Sequence, residues 1–81
     1  MKYLYTKDKD MTLLIPVSTV RIYWEDDEII SVEDIASNDI ILTIRCKNRL
    51  WAEQIMEEIA DWLAKDTPNN NVFEIDKYDD R

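Results

Sequence analysis

The sequence predicts a small α+β fold, in which an antiparallel sheet of four to five strands carries one amphipathic C-terminal helix packed on one face. Two observations predict it. Several short runs within about 2–46 alternate apolar and polar residues, as half-buried strands do. The stretch of about 49–64 instead repeats apolar residues every three or four positions, which is the spacing of a helix face. We expect the 81 residues to form a single domain that ends in a short strand or tail over 72–81.

Clusters of turn-forming residues separate the predicted strands. The chain has no glycine, so its turns must use Asp, Asn, Ser and Pro. Pro16 cannot donate to a central ladder and therefore predicts a strand end, a bend or an edge. Ser31-x-x-Asp34 leaves open one helical turn over 32–36 in place of extended chain. In chain order, the runs with strand character are Lys2–Thr6, Thr12–Val17, Val20–Trp24, Ile29–Val32 and Ile40–Cys46, and Val72–Ile75 is a candidate for a last short strand.

The predicted helix has recognisable ends. Asn48 is a favourable N-cap residue, and Thr67-Pro68 is expected to stop the helix. One face carries acids, and the opposite stripe is expected to be buried. That stripe comprises Trp51, Ala52, Ile55, Met56, Ile59, Trp62 and Leu63.

The composition argues against catalysis. There is no histidine, which removes the commonest general base and metal ligand, and without glycine no phosphate-binding loop can form. Cys46 has no base for a thiolate pair and fits a small buried hydrophobe. We therefore expect a non-enzymatic protein without cofactor or metal. The longest apolar run, Leu13–Val17, is far below the ~20 residues that span a bilayer, which predicts a soluble chain without a membrane partner.

Acidic residues are concentrated in two places. The formal net charge is −8, and the window 24–39 holds seven acids and no base. The predicted helix adds three acids at i, i+4 and i+8. This distribution disfavours direct nucleic-acid binding and favours a partner protein with a basic surface, although such acids also fit a merely solubilising surface. The candidate partner-binding residues are Glu25, Asp26, Asp27, Glu28, Glu53, Glu57 and Asp61.

Two further features suggest alternative functions. Arg45, Lys47 and Arg49 stand at the junction of a strand and the helix N-terminus, which favours an anionic small molecule such as a nucleotide signal. Tyr3, Tyr5 and Tyr23 are compatible either with an exposed sheet face that forms a homo-oligomer or with ordinary cross-strand pairing. A structural subunit of a larger assembly is a third alternative.

The run Leu14-Ile15-Pro16-Val17-Ser18-Thr19-Val20-Arg21-Ile22, followed by strands and a single amphipathic helix, resembles small uncharacterised proteins of phages and Gram-positive bacteria. The resemblance implies an inhibitor of host defence, which blocks a nuclease or another nucleic-acid enzyme or sequesters a nucleotide signal. Separately, the single cysteine cannot form an internal disulfide, which favours either a cytoplasmic protein (in the host cytoplasm for a phage-encoded chain) or one that gains stability from oligomerisation.

Overall fold

The computed structural model describes residues 1–8, 11–65 and 70–77. Within them the class is α+β, as the sequence predicts. Short 3₁₀ turns cover Val17–Thr19 and Ile75–Lys77. The strands are β1 (Tyr3–Asp8), β2 (Met11–Pro16), β3 (Val20–Asp26), β4 (Ile29–Asp34), β5 (Ile40–Arg45) and β6 (Val72–Glu74), and the helix α1 spans Arg49–Ala64.

The described strands form two three-stranded sheets, where the sequence predicts a single sheet of four to five strands. The first sheet has the order β2-β1-β6, and the second is the meander β3-β4-β5. The break falls at Pro16, which ends β2 at the sheet edge. There the 3₁₀ turn begins, and Thr19 Oγ1 donates to the Pro16 carbonyl at 2.8 Å. A proline donates nothing to a ladder, so β3 starts a new sheet instead of extending the first.

The first sheet also contains a parallel pair, which the predicted antiparallel sheet does not include. β1 pairs with β2 in antiparallel fashion but with β6 in parallel. Parallel neighbours need a long connection, and the chain from β2 through α1 supplies it. The helix therefore returns the chain to the sheet in which it began.

The segment 32–36, for which the sequence leaves open one helical turn or extended chain, is extended through Asp34 and enters a hydrogen-bonded turn at 35–37. β4 continues through Asp34, and the turn follows it. Asp34 Oδ2 accepts from both the backbone N–H and the hydroxyl of Ser37, at 3.2 and 2.7 Å. Asn38 then takes a φ of 62°, the left-handed conformation that glycine would otherwise supply.

One hydrophobic core joins both sheets to the helix. Leu4 of β1 lies opposite Ile15 of β2 and Phe73 of β6, and Ile30 of β4 lies opposite Ile44 of β5. All five belong to one buried cluster. Cys46 is buried in the same cluster, as predicted. The helix contributes Ala52, Ile55, Ile59 and Trp62.

The helix begins and ends where the sequence predicts. Asn48 Oδ1 accepts from the Trp51 N–H at 2.8 Å, so the predicted N-cap is confirmed. Thr67 and Pro68, the predicted stop, lie outside the described residues. The predicted apolar stripe is too wide by one residue, because Leu63 is 43% exposed. No helix in the described residues is long and apolar enough to cross a membrane.

Candidate functional site

The turn between β3 and β4 brings two of the predicted acids to the start of the helix. Asp26 and Asp27 are exposed, and the Asp26 side chain accepts from the Glu28 N–H at 3.0 Å, which holds the turn. Both aspartates line a shallow depression together with Trp24 and Arg49. Since Arg49 is the first residue of α1, the hairpin tip lies beside the helix N-terminus.

The helix continues this acidic surface. Glu53, Glu57 and Asp61 are exposed and follow Arg49 at four-residue intervals, so each advances ~6 Å along the helix and turns ~40° around its axis. Asp61 pairs with Lys65 at 2.9 Å, and both side chains remain largely exposed. We refer to the five carboxylates that run from the hairpin tip along the helix as the acidic stripe: Asp26, Asp27, Glu53, Glu57 and Asp61.

Two predicted acids lie away from the acidic stripe. Glu25 points to the outer face of the second sheet, where its carboxylate accepts from the buried Ser31 hydroxyl at 2.5 Å. Glu28 lies beside Arg45 and Lys47 in a separate depression. The β3–β4 register shifts between Trp24 and Asp26, which places Glu25 at the irregularity, and Glu28 lies in the turn that follows β3.

The same outer face carries a small polar network. Tyr23 donates its hydroxyl to Glu33 Oε2 at 3.3 Å, and Glu33 also contacts the Arg21 guanidinium at 3.5 Å. Partial burial, followed by the Glu33 carboxylate, raises the pKa of the Tyr23 phenol above its ordinary value of 10.0. In this network the Glu33 carboxylate bonds to side chains of the chain itself.

The three predicted ligand-binding cations do not converge on one point. The Lys47 ammonium lies 4.9 Å from the centre of the Trp51 ring, and the Arg49 guanidinium lies 5.6 Å from the centre of the Trp24 ring. Arg45 lies at the exposed end of β5. Arg45 and Lys47 share one depression with Glu28, whereas Arg49 belongs to the depression of the aspartates.

The outer face of the first sheet is largely aromatic and aliphatic. Tyr3 lies opposite Pro16 and Val72, and Tyr5 lies opposite Leu14 and Glu74, so these six side chains share one face. Leu14 is 53% and Val72 47% exposed, and the two tyrosines are half-buried. The structure therefore places Tyr3 and Tyr5 on a sheet face with apolar neighbours, as the oligomer hypothesis requires.

Sequence reasoning missed one feature, a groove between α1 and β6. It brings Glu58 of the helix close to Glu74, which is sixteen positions further along the chain, and it has a volume of about 610 Å³. The helix position of Glu58 was readable from the sequence. The docking of β6 beside the helix was not, because no local pattern specifies it.

The described residues contain no group of three or more His, Cys, Asp or Glu side chains placed to hold a metal ion. Comparisons with protein-family models, with curated proteins and with solved structures found no match to this chain. The function of this chain is therefore inferred from the geometry and charge of its surfaces.

Proposed function

We propose that this chain is a small non-enzymatic binding protein, whose acidic stripe occupies a basic site on another protein. The observation that carries the proposal is the position of the hairpin tip, which places Asp26 and Asp27 beside the N-terminus of the helix that carries the other three carboxylates. All five carboxylates belong to exposed residues, although Asp27 and Glu53 are far apart in sequence. The cation Arg49, which stands between them, lies over the Trp24 ring.

The spacing along the helix favours a partner site built for nucleic acid. The carboxylates of Glu53, Glu57 and Asp61 repeat every ~6 Å along the helix. Phosphates of one nucleic-acid strand likewise form a row of regularly spaced negative charges. A groove lined with Lys and Arg to receive phosphates can receive these carboxylates instead. Together with the resemblance to small phage proteins, this spacing supports a phage-type inhibitor of a host defence or nucleic-acid enzyme.

Such an interaction is expected to be steered by charge. Exposed ion pairs contribute only ~0–1 kcal/mol each, so several must form together for a stable complex. Screening by salt sets the distance over which these charges attract each other, with a Debye length of ~8 Å at physiological salt. Binding should therefore weaken steeply as salt concentration rises.

The test is affinity capture from a bacterial lysate with three forms of the tagged chain. The first is the wild type. The second carries Glu53→Lys and Glu57→Lys within the acidic stripe. The third is the control, with Glu28→Lys and Asp39→Lys, which changes the net charge by the same amount outside the stripe. Captured proteins are identified by mass spectrometry, and the affinity of any purified partner is then measured at low and high salt.

The proposal predicts a partner that the wild type and the control retain and that the stripe variant loses. Equal retention by all three forms, or affinity that survives high salt, would contradict a charge-based site. Equal loss in both variants would show that net charge alone is recognised, and the stripe would then have no special role.

A homo-oligomer formed through the outer face of the first sheet stays a prediction, favoured by the exposed Leu14 and Val72 beside Tyr3 and Tyr5. Sedimentation velocity tests it directly. Binding of an anionic small molecule by Arg45, Lys47 and Arg49 also stays a prediction, and thermal shift with a nucleotide panel tests it. The separation of these three cations makes it the less favoured alternative.

A further inference from the structure

The groove between α1 and β6 combines an apolar floor with acidic walls. Trp62 of the helix and Phe73 of β6 form its floor, with ring centres 5.2 Å apart. The Trp62 indole N–H donates to the Asn70 carbonyl at 2.8 Å, which ties the segment before β6 to the helix. The groove is open to solvent and has a volume of about 610 Å³, room for a short stretch of extended chain.

The charges around the groove favour a cationic occupant. Of the described residues that line it, Glu58, Asp61 and Glu74 carry negative charge and Lys65 carries positive charge. Lys65 is already paired with Asp61 at 2.9 Å. The side chains that line the groove thus carry a net negative formal charge beside an apolar floor, a combination that suits the long stems and charged ends of Lys and Arg.

The backbone of β6 offers a further means of recognition. The Tyr3 N–H donates to the Asn71 carbonyl at 2.7 Å, and Tyr3 lies opposite Val72 in the parallel register. Because backbone groups alternate in direction along a strand, those of Val72 point away from β1, toward the groove. Within the described part of the chain, β6 is an edge strand of its sheet. Extended peptides bind such edges by strand addition.

We propose that this groove binds an extended Lys- or Arg-rich segment of a partner protein, which adds to the edge of β6 and directs a cation at Glu58. The inference rests on the proposed function and deepens it, since it names the kind of segment that the basic partner contributes. β6 has only three residues, so the contact is short and depends on the carboxylates for affinity.

The test uses a fluorescent peptide of alternating lysine and valine, about seven residues long, as an extended cationic probe. Fluorescence anisotropy measures its affinity for the wild type, for Glu58→Gln in the groove, for Glu53→Gln in the stripe but outside the groove, and for Asp39→Asn. Each substitution removes one negative charge from an exposed position. We expect Glu58→Gln to weaken binding about 5-fold, which is more than Glu53→Gln weakens it, and we expect Asp39→Asn to weaken it less than about 2-fold.

Strand addition has its own readout. We expect the peptide to slow hydrogen exchange of the Val72 amide, measured by NMR, and to leave exchange of the Ile41 amide on the second sheet unchanged. A peptide of the same sequence with N-methylated valines lacks donors on one edge and should bind more weakly. Full affinity of the methylated peptide would overturn the strand-addition geometry.

The outcomes separate this inference from the proposed function. Absence of probe binding to the wild type, or equal weakening by all three substitutions, overturns the groove. If a captured partner depends on Glu53 and Glu57 but not on Glu58, the acidic stripe stands and the groove inference fails. If the probe depends on Glu58 while capture is insensitive to the stripe variant, the groove stands and the stripe fails.

Discussion

At the scale of single residues, carboxylates that look alike in the sequence serve different purposes. Glu25 and Asp26 are neighbours, yet Glu25 accepts from the buried Ser31 hydroxyl whereas Asp26 holds the hairpin turn. Glu33, in turn, accepts from Tyr23 and pairs with Arg21. The number of acids in the composition is therefore larger than the number that is available to bind a partner.

The Tyr23 phenol gives a testable pH dependence. Its pKa is raised above 10.0 by partial burial and by Glu33, so the folded chain favours the protonated phenol. The stabilisation is complete below pH 10.0 and is lost as the pH rises through the higher folded pKa, because the unfolded chain releases its proton first. We expect Glu33→Gln to lower this pKa toward 10.0 without reaching it, since burial remains.

Tyrosinate absorbance measures the change, with Tyr23→Phe as the difference reference that isolates this group. Chemical denaturation at successive pH values should show wild-type stability falling more steeply above pH 10.0 than that of Tyr23→Phe. A Tyr23 pKa that is unmoved by Glu33→Gln would show that the carboxylate has no influence on the phenol.

At the scale of elements, α1 is held at both ends by groups from outside its own span. Asn48 caps the N-terminus. At the other end, Lys2 Nζ donates to the carbonyls of Trp62, Leu63 and Lys65 and lies 5.5 Å from the centre of the Trp62 ring. A cation at this end also interacts favourably with the helix dipole. The first residues of the chain thus fasten the helix to the first sheet.

Lys2→Met should lower the free energy of unfolding by about 1–2 kcal/mol, because it removes these hydrogen bonds and the charge at the dipole. Lys7→Met is the matched control, since Lys7 is exposed and its backbone N–H, which donates to Asp76, is unaffected by the substitution. Urea denaturation measures both. Equal losses would assign the effect to net charge and not to capping.

At the scale of the whole molecule, the two sheets depend on one core. Leu4 of the first sheet and Ile30 of the second are almost completely buried in the same cluster. The helix lies in that cluster through Ala52, Ile55, Ile59 and Trp62. A chain of this size has little reserve stability, so disruption in either sheet should unfold both.

Leu4→Ala and Ile30→Ala should each lower the free energy of unfolding by about 2–5 kcal/mol through loss of burial and cavity formation. In each variant we expect amides of both sheets, followed by NMR during urea denaturation, to disappear at the same midpoint. Leu14→Ala, the same change as Leu4→Ala but at a 53% exposed position of the same sheet, should alter stability by less than about 0.5 kcal/mol. Separate midpoints for the two sheets would contradict a single core.

The sequence by itself determined the elements and their ends. Local periodicity places each strand within about two residues, and α1 has the predicted bounds with Asn48 as its cap, because side-chain alternation and capping are properties of neighbouring residues. The same local rules predicted a strand end, a bend or an edge at Pro16 and the burial of Cys46.

The tertiary structure alone decided which elements meet. Alternation shows which face of a strand is buried but not which strand lies beside it. The division into two sheets and the parallel β1–β6 pair therefore could not be predicted from the sequence. Lys2 reaches a helix end some sixty positions away, and the groove at Glu58 exists only because β6 docks there. The acidic stripe likewise depends on the hairpin tip packing beside Arg49, a contact that is set by the shared core.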